Sequence, residues 1–126
     1  MKLNHDCVRA IMIFVEENLH YGLYINVNDV KIDGYSHEEI LYAADKLLEA
    51  EYFKGNYRNY IDGSEPSINI TSLTWSGHQF LDNIRDDGVW KDTKKILSKF
   101  SSVSLSFVGG IASQVITALV QKQLGL

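Results

Sequence analysis

Between Phe100 and Gln121 there is not one charged residue. In a water-soluble chain such a stretch has to be covered by something, and that constrains the fold more than any other feature. About 20 apolar residues suffice to cross a bilayer, so a membrane anchor is one reading. Ser101, Ser102, Ser104, Ser106, Ser113, Gln114 and Thr117 dilute the stretch, however, and Gly109-Gly110 interrupt it. The apolar positions Leu105, Val108, Ile111, Ala112, Val115, Ile116, Leu119, Val120 and Leu124 predict an amphipathic to buried helix instead. Gly109, Ser113 and Thr117 recur at four-residue steps and would let two helices approach closely. The expectation is a tail over residues 101–126 that holds a homo-oligomer together, with intrachain packing and a membrane anchor as the alternatives. The Gly-Gly pair leaves open whether the tail is one helix or two.

The remaining residues, 1–100, are predicted to form one small domain. The chain has 126 residues, a net charge of −4 and 45% apolar residues, which suits a packed core. An acidic balance disfavours broad phosphate-driven nucleic-acid binding without excluding a local basic patch. A single cysteine, Cys7, precludes an intrachain disulfide, and with no secretory signal visible the expected location is a bacterial cytosol. Cys7 reads as a small buried hydrophobe, because Arg9 alone is thin support for a reactive thiolate.

In order, residues 5–19 predict a helix capped by Asn4, with Val8, Ile11, Met12, Val15 and Leu19 on one face and Gly22 able to end it. Residues 23–33 suit a short strand or extended connector. Ser36 and Glu39 form an S-x-x-E capping box before a second helix, whose apolar stripe runs Ile40, Leu41, Ala44, Leu47, Leu48. Its other face, His37, Glu38, Tyr42, Asp45, Lys46 and Glu49, is more acidic than basic. Residues 51–72 read as a hairpin, with the Asp62-Gly63-Ser64-Glu65-Pro66 turn cluster between its strands. Lys54, Tyr57, Arg58 and Tyr60 make a basic and aromatic edge there. Its bland reading is an ordinary strand with solvated charges; its functional reading is a ligand-contact edge.

A third helix is predicted from Thr74 to about Asp86, with Asp86-Asp87-Gly88 as a stop, and a fourth from Val89 to Phe100. Lys91, Lys94, Lys95 and Lys99 give the fourth its positive charge. His78 and Asp82 stand at i, i+4 and can touch. Such a pair can do acid–base work but needs a nucleophile or a metal, and the sequence nominates neither. No HExxH, Cys-His ligand set or G-x-S-x-G elbow is present, so no catalytic residue, metal or cofactor is expected.

Leu73-Thr74-Trp75, Gly77-His78, Phe80-Leu81, Ile84-Arg85-Asp86-Asp87 and Val89-Trp90 carry a resemblance, joined by Met1-Lys2-Leu3-Asn4, Val8-Arg9 and Gly34-Tyr35-Ser36. The chain resembles the domain of unknown function (DUF) 2513 family, small proteins many of which come from phages and prophages of Gram-positive bacteria. The resemblance covers most of residues 1–95. It implies a winged-helix-like body and a phage context, and it carries over no catalytic residue.

The expected fold class is therefore α+β and mainly helical: a winged-helix-like body over 1–100, a β-hairpin wing and an apolar helical oligomerisation tail. The expected function is non-enzymatic. An oligomer would capture a small anionic, nucleotide-like ligand or a host protein, in the manner of phage proteins that counter host immunity. Candidate contacts are Arg9, Tyr57, Arg58, Tyr60, Trp75, His78, Arg85 and Trp90. The alternative is a winged-helix DNA-binding regulator, which the fold reading favours and the acidic recognition face disfavours.

Overall fold

A computed structural model describes residues 1–126. It is α+β and mainly helical, with five α-helices and a small three-stranded antiparallel sheet. The chain divides into two compact units, Met1–His78 and Gln79–Leu126. The division falls within the third helix.

In the first unit, α1 (His5–Asn18) starts where Asn4 accepts the Cys7 N–H at 3.2 Å. Its buried face is Cys7, Val8, Ile11, Met12 and Val15. The connector holds a two-residue strand, β1 (Ile25–Asn26), and a 3-10 turn over Val27–Asp29 that the residue pattern did not disclose. Helix α2 (His37–Glu49) opens on a complete capping box. The Glu39 N–H donates to Ser36 Oγ at 3.1 Å, and Glu39 Oε1 accepts the Ser36 N–H at 3.1 Å. Each bond satisfies a backbone donor that a helix start leaves unpaired. Ile40, Leu41, Ala43, Ala44 and Leu47 are buried and pack towards α1 and the sheet.

The hairpin consists of β2 (Phe53–Arg58) and β3 (Ser67–Leu73), and the sheet order is β1-β3-β2. Ile68 and Ile70 alternate inward at 0% exposure, as a half-buried strand requires. The register slips between Lys54 and Gly55, a bulge. A Cβ on Gly55 would stand 1.9 Å from the Asn69 carbonyl oxygen, so only glycine fits there.

Helix α3 (Trp75–Ile84) begins with the Gly77 N–H donating to Thr74 Oγ1 at 2.9 Å, the cap its sequence promised. In the second unit, α4 (Asp87–Leu97) starts two residues earlier than the apolar spacing indicated. Asp86, expected only as part of a stop, accepts the Val89 N–H at 2.9 Å and is the N-cap of this helix. Thr93 is fully buried, and its hydroxyl donates to the Val89 carbonyl at 2.7 Å, so no polar group is stranded.

The tail forms one helix, α5 (Leu105–Gln123), capped by Ser104, and the Gly-Gly pair does not break it. It packs on α4. Phe107 meets Phe100 edge-on with ring centroids 5.7 Å apart. Val108, Gly109 and Ala112 are buried; a Cβ at Gly109 would lie 3.0 Å from the Phe80 ring. By length and a mean hydropathy of 1.2, α5 could cross a membrane, and only 17% of that apolar window is buried within the chain.

Candidate functional site

The eight candidate contacts are spread over both units. Arg9 lies on α1, half-buried. It sits close enough to Tyr35 for its charge to act on that phenol. Burial pushes the Tyr35 hydroxyl up, the Asp6 charge adds to that, and Arg9 opposes it. Tyr57 and Arg58 end β2, and Tyr60 follows them in the hairpin loop. Trp75 opens α3 at 79% exposure, and His78 lies one turn on. Arg85 follows α3 and reaches back to Asp82 at 2.9 Å.

Trp90 departs from the expectation. It sits on the inner face of α4 at 5% exposure and belongs to the core. Its spacing with Thr93 and Leu97 decides this, since all three fall on one stripe. The expected contact between His78 and Asp82 also gives way, because each side chain faces another neighbour. His78 Nδ1 faces Glu16 Oε2 at 4.0 Å, while Asp82 takes Arg85.

Three clefts bear on these residues. The largest, about 800 Å³, lies between α2 and the hairpin and is lined by Asp45, Leu48, Glu49, Phe53, Lys54 and Tyr57 among others. A smaller one near the end of α1, about 200 Å³, includes Glu16, His20, Tyr21 and His78. A third, about 160 Å³, includes Leu41, Tyr42, Tyr57 and Ile68. None is lined by more than one of the eight candidates. No three His, Cys, Asp or Glu side chains converge as metal ligands.

What the structure does bring together is a hairpin with a fixed root and a bare tip. At the root, Asn28 spends its whole amide. Its Nδ2 donates to Glu65 Oε2 at 2.9 Å and to the Pro66 carbonyl at 2.8 Å, and its Oδ1 accepts the Ile68 N–H at 3.0 Å. Glu65 also meets His37 Nε2 at 2.9 Å, from the first turn of α2. The Asn28 bond, then the His37 bond, hold the Glu65 carboxyl below its usual range. Beyond this root the loop projects. Ile61 is wholly exposed, and Tyr57 and Tyr60 are 45% and 41% exposed on either side of Arg58.

Sequence reasoning named Tyr57, Arg58 and Tyr60 but passed over Ile61, Asn28 and Glu65. A lone large aliphatic residue between Asn59 and Asp62, in an otherwise polar turn, was the available signal for Ile61.

Charge separates the two units. Residues 1–78 hold six Lys and Arg against twelve Asp and Glu, a net −6; residues 79–126 hold six against four, a net +2; together these give the chain's −4.

The chain is similar over 121 residues to an uncharacterized protein of Haemophilus influenzae. The two are 29% identical across 95% of this chain and 99% of that one. No solved structure matches the chain. The family model described as "Hypothetical protein (DUF2513)" matches residues 2–104, from the α1 cap through the hairpin and the α3–α4 signature to the start of the tail, and the chain belongs to that family.

Proposed function

We infer that this is a non-enzymatic capture protein that grips a protein partner through its hairpin tip, on a winged-helix-like unit whose copies associate through α5. The observation that carries the reading is the tip. A fully exposed Ile61 flanked by Tyr60, Arg58 and Tyr57 has the composition that dominates protein-binding energy, aromatic rings and arginine around an apolar anchor. The order α1, β1, 3-10 turn, α2, β2, β3 with sheet order β1-β3-β2 supports the winged-helix reading, with the hairpin as wing and α2 in the recognition position.

A small anionic ligand fits the geometry less well. Arg9 stands on α1, Arg58 at the end of β2 and Arg85 in the link after α3, and the large cleft beside α2 presents Asp45 and Glu49 where an anion would need cations. DNA is the second reading, favoured by the topology alone. Against it stand the net −6 of the unit and the carboxylates beside α2, which phosphates would meet first.

A photo-crosslinking residue placed at position 61 tests this in a bacterial host lysate. The expected result is one discrete protein adduct, lost with Tyr60→Ala and absent when the crosslinker sits at Lys91. Adducts to nucleic acid, together with a gel shift that weakens as salt rises, would replace the protein reading with the DNA one.

A further inference from the structure

We propose that the partner held by the hairpin presents an extended, arginine-bearing segment, which pairs with the free edge of β2 and seats its arginine in the pocket between α2 and Tyr57. This rests on the reading of the hairpin as a protein-gripping arm and names what the gripped protein must carry.

The edge calls for an extended chain. In the order β1-β3-β2, strand β2 has a neighbour on one side only. Past the bulge, Gly55, Asn56, Tyr57 and Arg58 pair in unbroken register with Ile70, Asn69, Ile68 and Ser67. In an antiparallel ladder, alternate residues turn their N–H and C=O away from the strand they pair with. On β2 those groups meet no other backbone, since no turn, loop or cap bond reaches residues 53–59. Such a row is a template for one further strand. The main chain of that strand supplies affinity and its side chains supply selectivity.

The pocket says which side chain. It holds about 160 Å³, room for one long side chain, and Tyr57 brings it to the edge. Leu41, Pro66 and Ile68 give it apolar walls, Tyr42 and Tyr57 two aromatic rings, and Glu38 and Asp45 two carboxylates. The two acids stand two turns apart along α2. An aliphatic stem can lie along the walls while a planar cation stacks on a tyrosine ring and forks to a carboxylate. Arginine meets all three demands. An acidic or wholly apolar side chain would leave the carboxylates unanswered.

The chain's own cations leave room for another. Lys46 is taken up by Glu49 at 3.0 Å and stands 3.9 Å from Asp45. Its ammonium lies 5.2 Å from the Tyr42 ring centre, so one cation is already held there by ring and acid together. No ion pair involves Glu38. Arg58 does not compete, because side chains alternate across a strand and Tyr57, opposite the buried Ile68, takes the inner face. Lys54 borders the larger cleft and not this pocket. The net −6 of the unit draws a cationic segment towards it.

The test titrates the isotope-labelled full chain at low salt with the capped peptide Thr-Val-Arg-Val-Thr and its citrulline counterpart, read from backbone amide shifts. The arginine peptide is expected to shift the amides of Gly55–Arg58 and Leu41–Asp45. Citrulline, which keeps the shape and loses the charge, is expected to bind at least about tenfold more weakly. Arginine peptides N-methylated at alternate residues, in the two possible phases, probe the edge: one phase is expected to lose binding and the other to keep it. Glu38→Gln combined with Asp45→Asn is expected to weaken the arginine peptide at least about tenfold, with an unchanged circular dichroism spectrum. Absent shifts, shifts spread over the acidic unit without preference for arginine over citrulline, or equal binding by both methylated phases would overturn the proposal. The crosslinker at position 61 separates this from the reading it rests on. A lysate adduct that persists undiminished in the Glu38→Gln, Asp45→Asn protein would keep the tip and overturn the arginine pocket. Peptide binding with no adduct at all would keep the pocket and overturn the tip as the gripping point.

Discussion

Asn4 donates from Nδ2 to Glu39 Oε2 at 3.0 Å, across 35 residues of sequence. Asn4 caps α1 and Glu39 closes the capping box of α2, so a single bond ties two helix starts together. The Asn4 bond, followed by the Ser36 backbone bond, lowers the Glu39 carboxyl from its ordinary 4.5. A lowered acid stabilises the fold fully above its unfolded value and loses that contribution as pH falls through the lower, folded value. Glu39→Gln should therefore have a lower urea midpoint than wild type at pH 7. The gap should narrow as pH falls below about 4.5. A gap independent of pH would show that the charge on Glu39 contributes nothing.

Gly77 lies where α3 passes Tyr52. A Cβ there would stand 2.1 Å from the Tyr52 carbonyl oxygen, a backbone atom that cannot swing away. The same turn is held by Thr74, whose hydroxyl donates to the Glu51 carbonyl at 2.6 Å. Gly77→Ala is expected to cost about 2 kcal/mol or more, read from urea unfolding, despite its better helix propensity. Gly110→Ala, in open space, should instead raise monomer stability slightly.

The two tryptophans should report separately. Trp75 is 79% exposed and Trp90 5%. Trp75→Ala is expected to change stability by less than about 0.5 kcal/mol, and Trp90→Ala to cost about 3–5 kcal/mol. Iodide should quench the Trp90→Phe protein strongly and the Trp75→Phe protein weakly. Equal quenching would contradict the burial of Trp90.

Cys7 is fully buried, and its thiol is pushed up to about 11 by burial, with the Glu39 charge adding to it. Two units above the ordinary 9.0 leaves about 100-fold less thiolate at pH 8. Alkylation by iodoacetamide should be slower than for a free thiol by at least that factor, and should become fast only on unfolding.

Much of this architecture was legible because capping is local. Ser36 and Glu39 disclosed the start of α2 from a four-residue window, and Asn4 and Thr74 did the same for α1 and α3. The Asp62–Pro66 cluster disclosed the hairpin turn. Where local signals conflicted, three-dimensional context decided. Asp86 served as both stop and cap, and Gly109-Gly110 stayed helical because α4 and Phe80 support that turn. Long-range pairings left no trace in the residue order. Asn28 finds Glu65, Pro66 and Ile68 some forty positions away, and nothing around Asn28 announces it. The candidate contacts were chosen by residue type, so Tyr57, Arg58 and Tyr60 fell together on the hairpin while Trp90 proved to be core.

The Asn28 clamp has a consequence for how tightly the hairpin can hold anything. Pinning Pro66 and Ile68 to the 3-10 turn leaves only the few residues around Ile61 to lose freedom when a target is met. The loss on engagement is thus confined to a short arc, while the rest of the arm arrives already in place. Severing that clamp by Asn28→Ala should turn a stiff probe into a slack one, with little change in the surface it offers.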